Sequence, residues 1–147
     1  MTPVVSIAQI QQALTLQLPG IEAWMRMAPR HRNLAPPEEA TPRLAGVLIL
    51  LYPLDESLSM VLTRRTEDLA THRGQISLPG GGLKAGETPV DAALREAHEE
   101  LGIAIDDVTV MGELTPLYIP PSNYLIHPIV AHLPGRPTFA PDPGEVA

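Results

Sequence analysis

The alternation of apolar and polar residues along the chain predicts several short strands and one sharply bounded helix. Five segments have the length, branched side chains and flanking turn residues of β-strands: 44–52, 58–65, 75–78, 108–118 and 124–133. Apolar residues in 4–18 recur at helical spacing and stop at Pro19-Gly20, whereas 30–42 is rich in proline and charge and is predicted to be a linker.

The order of these elements predicts an α/β fold in which a mixed β-sheet carries helices on both faces. A chain of 147 residues with 44% hydrophobic residues can bury one sizeable core, so we expect a single domain. Within that domain, we expect 1–43 to form an N-terminal helix and linker and 44–147 to form the core.

The segment 89–101 is predicted to be one helix. Thr88 suits the N-cap, Pro89 suits the first helical position, and Gly102 suits the stop after the last turn. Apolar side chains recur at i, i+3 and i+7 on one face of this helix: Leu94, Ala97 and Leu101. That face is expected to fix the helix against the core.

Three carboxylates share another face of the same helix: Glu96, Glu99 and Glu100. They repel one another at neutral pH unless a positive group neutralises them, and hard oxygen ligands favour Mg²⁺ or Mn²⁺. The alternative is a solvated acidic helix face. The run Gly80 to Gly82 favours a metal or phosphate site because it permits close backbone approach, and Glu87 is placed to pair with Arg95.

This segment resembles the complete Nudix box, the signature of the Nudix hydrolases, in the pattern Gly81-x5-Glu87-x7-Arg95-Glu96-Ala97-x-Glu99-Glu100-x-Gly102-Ile103. Ala97 is a mild departure, since a larger aliphatic residue is more usual there. The resemblance implies an α/β/α sandwich and an enzyme that cleaves a nucleoside diphosphate linked to another group. It implies four metal ligands, Glu96, Glu99, Glu100 and the Gly81 carbonyl, and a structural role for Glu87 and Arg95.

The residue that accepts a proton from the attacking water is left open by the sequence. Diphosphate hydrolysis needs cations on the phosphoryl oxygens and a carboxylate within reach of the water. Nudix enzymes use either a glutamate of the box or one from a later loop, and Glu145 is the late candidate here. The alternative is that Glu145 is a surface glutamate beside the turn 141–144.

The residues before the box resemble the additional motif of the coenzyme A pyrophosphatases, in 61–66 and again in 72–81. Two positions depart from that motif, Ala70 where arginine is usual and Leu78 where phenylalanine is usual. Coenzyme A or an acyl derivative is therefore the first predicted substrate. ADP-ribose, a dinucleoside polyphosphate or another nucleotide is the second, and a nucleotide-binding module without turnover is the third possibility.

Several residues are predicted to contact this small-molecule substrate: Arg64 or Arg65, Arg73, Gly80 and Gly81. Alternation along a strand places only one of Arg64 and Arg65 on a given face. Tyr118 and Tyr124 are candidates for stacking on adenine, with a place in the core as the alternative.

Charge and composition narrow the setting. A net charge of -7 argues against nonspecific nucleic-acid binding, and the absence of cysteine excludes a disulfide framework. No signal peptide or membrane span is predicted, so a cytoplasmic location is expected.

The resemblance leads into a further strand and a closing helix after residue 147. We therefore expect a fragment, or terminal elements supplied by a partner chain, and a homodimer is one way to cover the apolar surface.

Overall fold

The computed structural model describes residues 5–28, 33–67 and 74–147, which form three helices and eight strands. The helices are α1 (Ile7–Leu14), α2 (Ile21–Met27) and α3 (Pro89–Leu101). The strands are β1 (Arg43–Leu54), β2 (Ser57–Met60), β3 (Thr63–Arg64), β4 (Ile76–Ser77), β5 (Gly80–Gly82), β6 (Thr109–Glu113), β7 (Leu117–Ile119) and β8 (Tyr124–His132). Two single 3₁₀ turns, Ile105–Asp107 and Pro120–Ser122, precede β6 and β8.

The main sheet is mixed, as the sequence predicted. Its central path runs β2-β1-β8-β6, in which β1 and β8 are parallel and the other neighbours are antiparallel. The short strand β5 pairs with the first half of β1, and β7 pairs with the first half of β8. A separate ribbon joins β3 to β4. The α/β class is therefore confirmed.

Helix α3 covers one face of this sheet and forms the core with it. Alternate residues of β1, Leu48 and Leu50, are fully buried and lie in one apolar cluster with Ala93, Ala97 and Leu101 of the helix. Ala97 has no exposed surface. Small side chains at 93 and 97 allow the helix backbone to approach the sheet closely, which accounts for alanine inside the box.

The boundaries of α3 agree with the prediction because they are set locally. The Thr88 hydroxyl accepts a hydrogen bond from the Asp91 N–H, and the Asp91 carboxylate accepts one from the Thr88 N–H, which together form a capping box. The Thr88 hydroxyl also donates to the Asp91 carboxylate at 2.7 Å, and this bond, followed by the one from the Thr88 N–H, lowers the pKa of Asp91. Gly102 ends the helix with φ of 66°, a left-handed conformation that glycine adopts without steric cost.

The opposite face of the sheet is less covered. Helix α1 lies on β6 there, where a side chain on Gly112 would meet Leu14. The predicted helix 4–18 is shorter than expected because Ser6 caps it through Gln9 and it ends at Leu14. Helix α2 was not predicted. None of the described helices approaches the length of apolar helix that a bilayer requires.

Two predicted strands are each divided in the structure. The chain leaves the main sheet after Met60, and Thr63–Arg64 pairs with Ile76–Ser77 in the second ribbon instead. The predicted strand 108–118 breaks before Pro116, which has no N–H to donate to a ladder. The other predicted strands agree within a few residues, and the predicted linker contains no helix or strand in 33–42.

Candidate active site

The glycine strand β5 brings the loop of the box against helix α3. Gly46 of β1 pairs with Gly81, so this part of the sheet presents bare backbone to the helix. A Cβ atom on Gly81 would lie 2.5 Å from Oε1 of Glu96. Glycine is therefore required for the Glu96 carboxylate to reach the backbone of β5.

Arg95 is held by Glu87 in a bidentate ion pair, as the sequence predicted. Arg95 Nε donates to Glu87 Oε1 at 2.6 Å and Nη2 donates to Oε2 at 3.1 Å. Glu87 Oε2 also accepts the Lys84 backbone N–H at 2.7 Å. The hydrogen bonds from Arg95 and then from Lys84 lower the pKa of Glu87 to about 2. The same pair raises the pKa of Arg95. Loop and helix are thus joined by a charged clamp.

The remaining donors of Arg95 reach two of the three predicted metal ligands. Nη1 donates to Glu96 Oε1 at 2.7 Å and to Glu99 Oε2 at 3.1 Å, and Nη2 also donates to the Gly82 carbonyl at 3.1 Å. The second oxygen of Glu99 pairs with Lys84 Nζ at 3.3 Å. Glu96 and Glu99 are therefore neutralised by side-chain cations in this structure.

Glu100 is the buried member of the three. Glu100 is only 7% exposed, and its Oε2 atom has no hydrogen-bond partner among the described residues. Burial first, and then the negative charges of Glu96 and Glu145, raise the pKa of Glu100 to about 7. The Gly80 N–H donates to this carboxylate and partly opposes the shift. A buried carboxylate with an open oxygen is costly unless a proton or a cation satisfies it.

The three glutamates share one region of α3 but do not converge as a preassembled metal site. Within 5–28, 33–67 and 74–147, no three acidic, histidine or cysteine side chains meet as ligands of one ion would. Arg95 and Lys84 draw Glu96 and Glu99 toward the loop. The chemistry of the donors still fits Mg²⁺ or Mn²⁺, because all three side chains offer hard carboxylate oxygens and Glu100 has a buried oxygen without a hydrogen-bond partner among the described residues.

The C-terminal segment places Glu145 beside this cluster. The Thr66 N–H donates to the Glu145 carbonyl at 3.1 Å, and the Ala147 N–H donates to the Arg64 carbonyl at 2.8 Å. Between them, Val146 and Arg65 form an isolated antiparallel β-bridge. The exposed Glu145 side chain is close enough for its charge to raise the pKa of Glu100. The structure thus brings the late glutamate to the box, while its role in catalysis stays a prediction.

The predicted arginine contacts separate into different places. Arg64 is exposed and lies 3.7 Å from Glu67, whereas Arg65 is close enough to Glu100 for its positive charge to oppose the rise in that pKa. Arg65 Nε is buried without a hydrogen-bond partner among the described residues. Of the two arginines, Arg65 is therefore better placed to contact a substrate bound beside Glu100. Arg73 lies outside the described residues, as does Ala70.

The two tyrosines also differ. Tyr118 is 5% exposed and donates to Asn123 Oδ1, so its place is in the core. Tyr124 carries the Arg43 guanidinium 4.2 Å above its ring and lies against Gly82. From the sequence, Lys84 was predicted only as one of five basic residues between positions 64 and 95 that suit a phosphate site, with no contact of its own. Its signal was its position inside the box loop as the single lysine of the chain.

Comparison with known families gives one clear match. The family model described as NUDIX domain matches residues 42–147. Nudix hydrolase 3 of Caenorhabditis elegans is 34% identical over 106 residues, which cover 72% of this chain and 44% of that protein. Nudix hydrolase 15, mitochondrial, of Arabidopsis thaliana is 39% identical over 118 residues, covering 75% of this chain and 40% of that protein.

A further relative carries a substrate in its name. The peroxisomal coenzyme A diphosphatase ndx-8 of Caenorhabditis elegans is 42% identical over 106 residues, which cover 69% of this chain and 45% of that protein. The chain spans about half the length of these curated relatives.

Solved structures agree on the fold. The Mycobacterium smegmatis Nudix hydrolase RenU superposes with a TM-score of 0.60 at 23% identity, covering 71% of this chain and 70% of that one. A Caenorhabditis elegans Ap4A hydrolase superposes with a TM-score of 0.59 at 18% identity, covering 71% of this chain and 75% of that one.

Proposed function

Because the chain belongs to the Nudix family, we propose that it is a pyrophosphohydrolase that cleaves the diphosphate bond of a nucleotide derivative. One observation carries this proposal most directly. Glu100 is buried with an open carboxylate oxygen beside Glu96, at the point where the glycine strand exposes its backbone. A carboxylate in that position stabilises the fold poorly and suits a cation-dependent site well.

The residues that would hold Mg²⁺ or Mn²⁺ are Glu96, Glu99, Glu100 and the Gly81 carbonyl. The bound cation would supply positive charge to the phosphoryl oxygens and make water more acidic. Arg95 holds Glu96 and Glu99 on the loop side, and its own position is fixed by Glu87. The carboxylates of Glu96 and Glu99 are thereby held near the loop of the box before a cation binds.

The chemical step requires one proton acceptor. The oxygen of water forms a bond to one phosphorus atom, the bond from that phosphorus to the bridging oxygen breaks, and the second phosphate leaves with the bridging oxygen. A carboxylate takes the proton from water. Glu145 suits this role because it is exposed beside Glu100, and a glutamate of the box is the alternative.

Coenzyme A or an acyl derivative is the substrate that we propose first, with 3′,5′-ADP and a phosphopantetheine as products. The motif in 61–66 and 72–81 supports it, and so does the 42% identity to a relative named as a coenzyme A diphosphatase. Leu78 and Ala70 depart from the motif and favour the second candidate, a Nudix enzyme for ADP-ribose or a dinucleoside polyphosphate. The intact glutamate cluster argues against a binding module without turnover.

Product analysis separates these candidates. The purified protein is incubated with Mg²⁺ or Mn²⁺ and with coenzyme A, ADP-ribose and diadenosine polyphosphates in turn, and products are identified by chromatography and mass. Appearance of 3′,5′-ADP from coenzyme A supports the first substrate. Faster cleavage of another compound replaces it with the second. Absence of turnover for every compound, in a protein that still binds nucleotide, supports the binding module.

A further inference from the structure

Lys84 is anchored at its backbone and exposed at its charged end. Its N–H donates to Glu87 Oε2 at 2.7 Å, and its carbonyl accepts the Glu87 N–H at 3.1 Å. Glu87 is in turn fixed by Arg95. The side chain beyond this anchor is 63% exposed, and its only described partner is Glu99 Oε1 at 3.3 Å. An exposed ion pair of this kind contributes little stability and exchanges readily.

Arg95 and Lys84 occupy the two oxygens of Glu99 in different ways. Arg95 is 18% exposed and is bound to Glu87, Glu96 and the Gly82 carbonyl besides Glu99. It therefore keeps its place when one bond is lost. Lys84 has no such second partner among the described residues, so a divalent cation bound at Glu99 would displace Lys84 by competition for the carboxylate and by repulsion of like charge.

We propose that Lys84 is a substrate-binding residue that exchanges partners, from Glu99 before the divalent cation binds to a phosphoryl oxygen of the substrate afterwards. This inference rests on the proposed function, since it requires a diphosphate beside the box. The anchored backbone keeps the released ammonium within one side-chain length of Glu99. Three rotatable donors on a compact charge suit a phosphoryl oxygen.

The composition of the chain provides a direct test, because Lys84 is its single lysine. Reductive methylation with ¹³C-formaldehyde labels this ammonium and the N-terminal amine and preserves the positive charge of each. We expect the Lys84 methyl resonance to shift when Mg²⁺ is added, and to shift again with line broadening when imidodiphosphate, a nonhydrolysable diphosphate, is added. A Lys84 resonance that ignores saturating Mg²⁺, with binding established by calorimetry, overturns the exchange.

The affinities of Lys84 variants for Mn²⁺ and for imidodiphosphate provide a second test. A purely structural role for Lys84 would not change these two affinities in opposite directions. In K84Q the competitor of the cation is absent, so we expect the affinity for Mn²⁺ to rise by roughly two- to fivefold. In the same variant we expect the affinity for imidodiphosphate in the presence of Mn²⁺ to fall about tenfold. K84R should retain most diphosphate binding. The exposed Arg26→Gln change on α2 controls for the loss of one positive charge.

Failure of the proposed function and failure of the proposed role of Lys84 would give different results. If the unmodified protein neither binds Mn²⁺ nor hydrolyses any nucleotide, the proposed function is wrong and takes this inference with it. If the unmodified protein binds Mn²⁺ and hydrolyses substrate, while K84Q matches it in both affinities, the proposed function stands and the role of Lys84 is wrong. Opposite changes in the two affinities of K84Q support the exchange.

Discussion

Gly81 leaves room for the Glu96 carboxylate, which any side chain at position 81 would have to displace. A Cβ atom there would lie 2.5 Å from Glu96 Oε1 and 2.7 Å from its Cδ. The obstacle is a carboxylate that Arg95 already holds at 2.7 Å, so it does not move freely. The glycine of the box is thus explained by one neighbouring side chain on the helix.

Gly81→Ala is therefore expected to push Glu96 away from β5 and to weaken cation binding by about tenfold or more. Calorimetric titration with Mn²⁺ measures this directly. Gly135→Ala is the matched control, because a Cβ at that position meets nothing within 4 Å. Equal Mn²⁺ affinity in the two variants would show that the Glu96 position is irrelevant to the metal.

The raised pKa of Glu100 predicts how the stability of the metal-free protein depends on pH. Its pKa is raised from 4.5 to about 7, so between these values the folded protein holds a proton that the unfolded chain has released. The free energy of unfolding should then fall as pH rises from about 4.5 to about 7, in the presence of chelator. Glu100→Gln should remove this slope and should raise the melting temperature at pH 8. Parallel pH profiles for the two proteins would contradict the burial argument.

Glu87 predicts the opposite pH dependence. Its pKa is lowered from 4.5 to about 2, so the ion pair with Arg95 stabilises the fold above 4.5 and is lost as pH falls toward 2. Glu87→Gln should be less stable than the unmodified protein at pH 7, and the difference should shrink steadily below pH 4.5. Thermal unfolding across pH 2 to 7 measures it, with the exposed Glu39→Gln as control.

Glu145 can be tested as the proton acceptor separately from its backbone contacts. Glu145→Gln should lower kcat by roughly a hundredfold or more if it is the base, with little change in Mn²⁺ affinity. The replacement keeps the backbone bond to Thr66, which uses the carbonyl of residue 145. A variant with full kcat would assign the proton to a glutamate of the box.

The sequence predicted α3 closely because its limits depend on adjacent residues. Thr88, Pro89 and Gly102 act within one turn of the helix ends, so no distant contact is needed to place them. The three box carboxylates and the pairing of Glu87 with Arg95 follow from that helix and its loop. Local spacing in the sequence was thus enough to predict the part of the candidate site that α3 and its preceding loop form.

The parts that were missed depend on contacts between distant segments. Residues 58–65 have continuous strand character, but Thr63 pairs with Ser77 while Met60 pairs with Leu51, and no local signal marks that division. The partnership of Lys84 with Glu99 joins positions 15 apart across the loop and helix. The sequence predicted the pairing of Glu87 with Arg95, but not that the bond from the Lys84 N–H to Glu87 would bring the Lys84 side chain within reach of Glu99.

Glu100 is the residue whose burial most directly links this fold to cation-dependent diphosphate hydrolysis. The most direct measurement is the initial rate of nucleotide hydrolysis as a function of Mg²⁺ concentration for the unmodified protein, Glu100→Gln and the Glu39→Gln control. We expect saturable activation by Mg²⁺ in the unmodified protein and in Glu39→Gln, and a rate lower by on the order of a hundredfold in Glu100→Gln. Equal, Mg²⁺-dependent rates in all three proteins would contradict it.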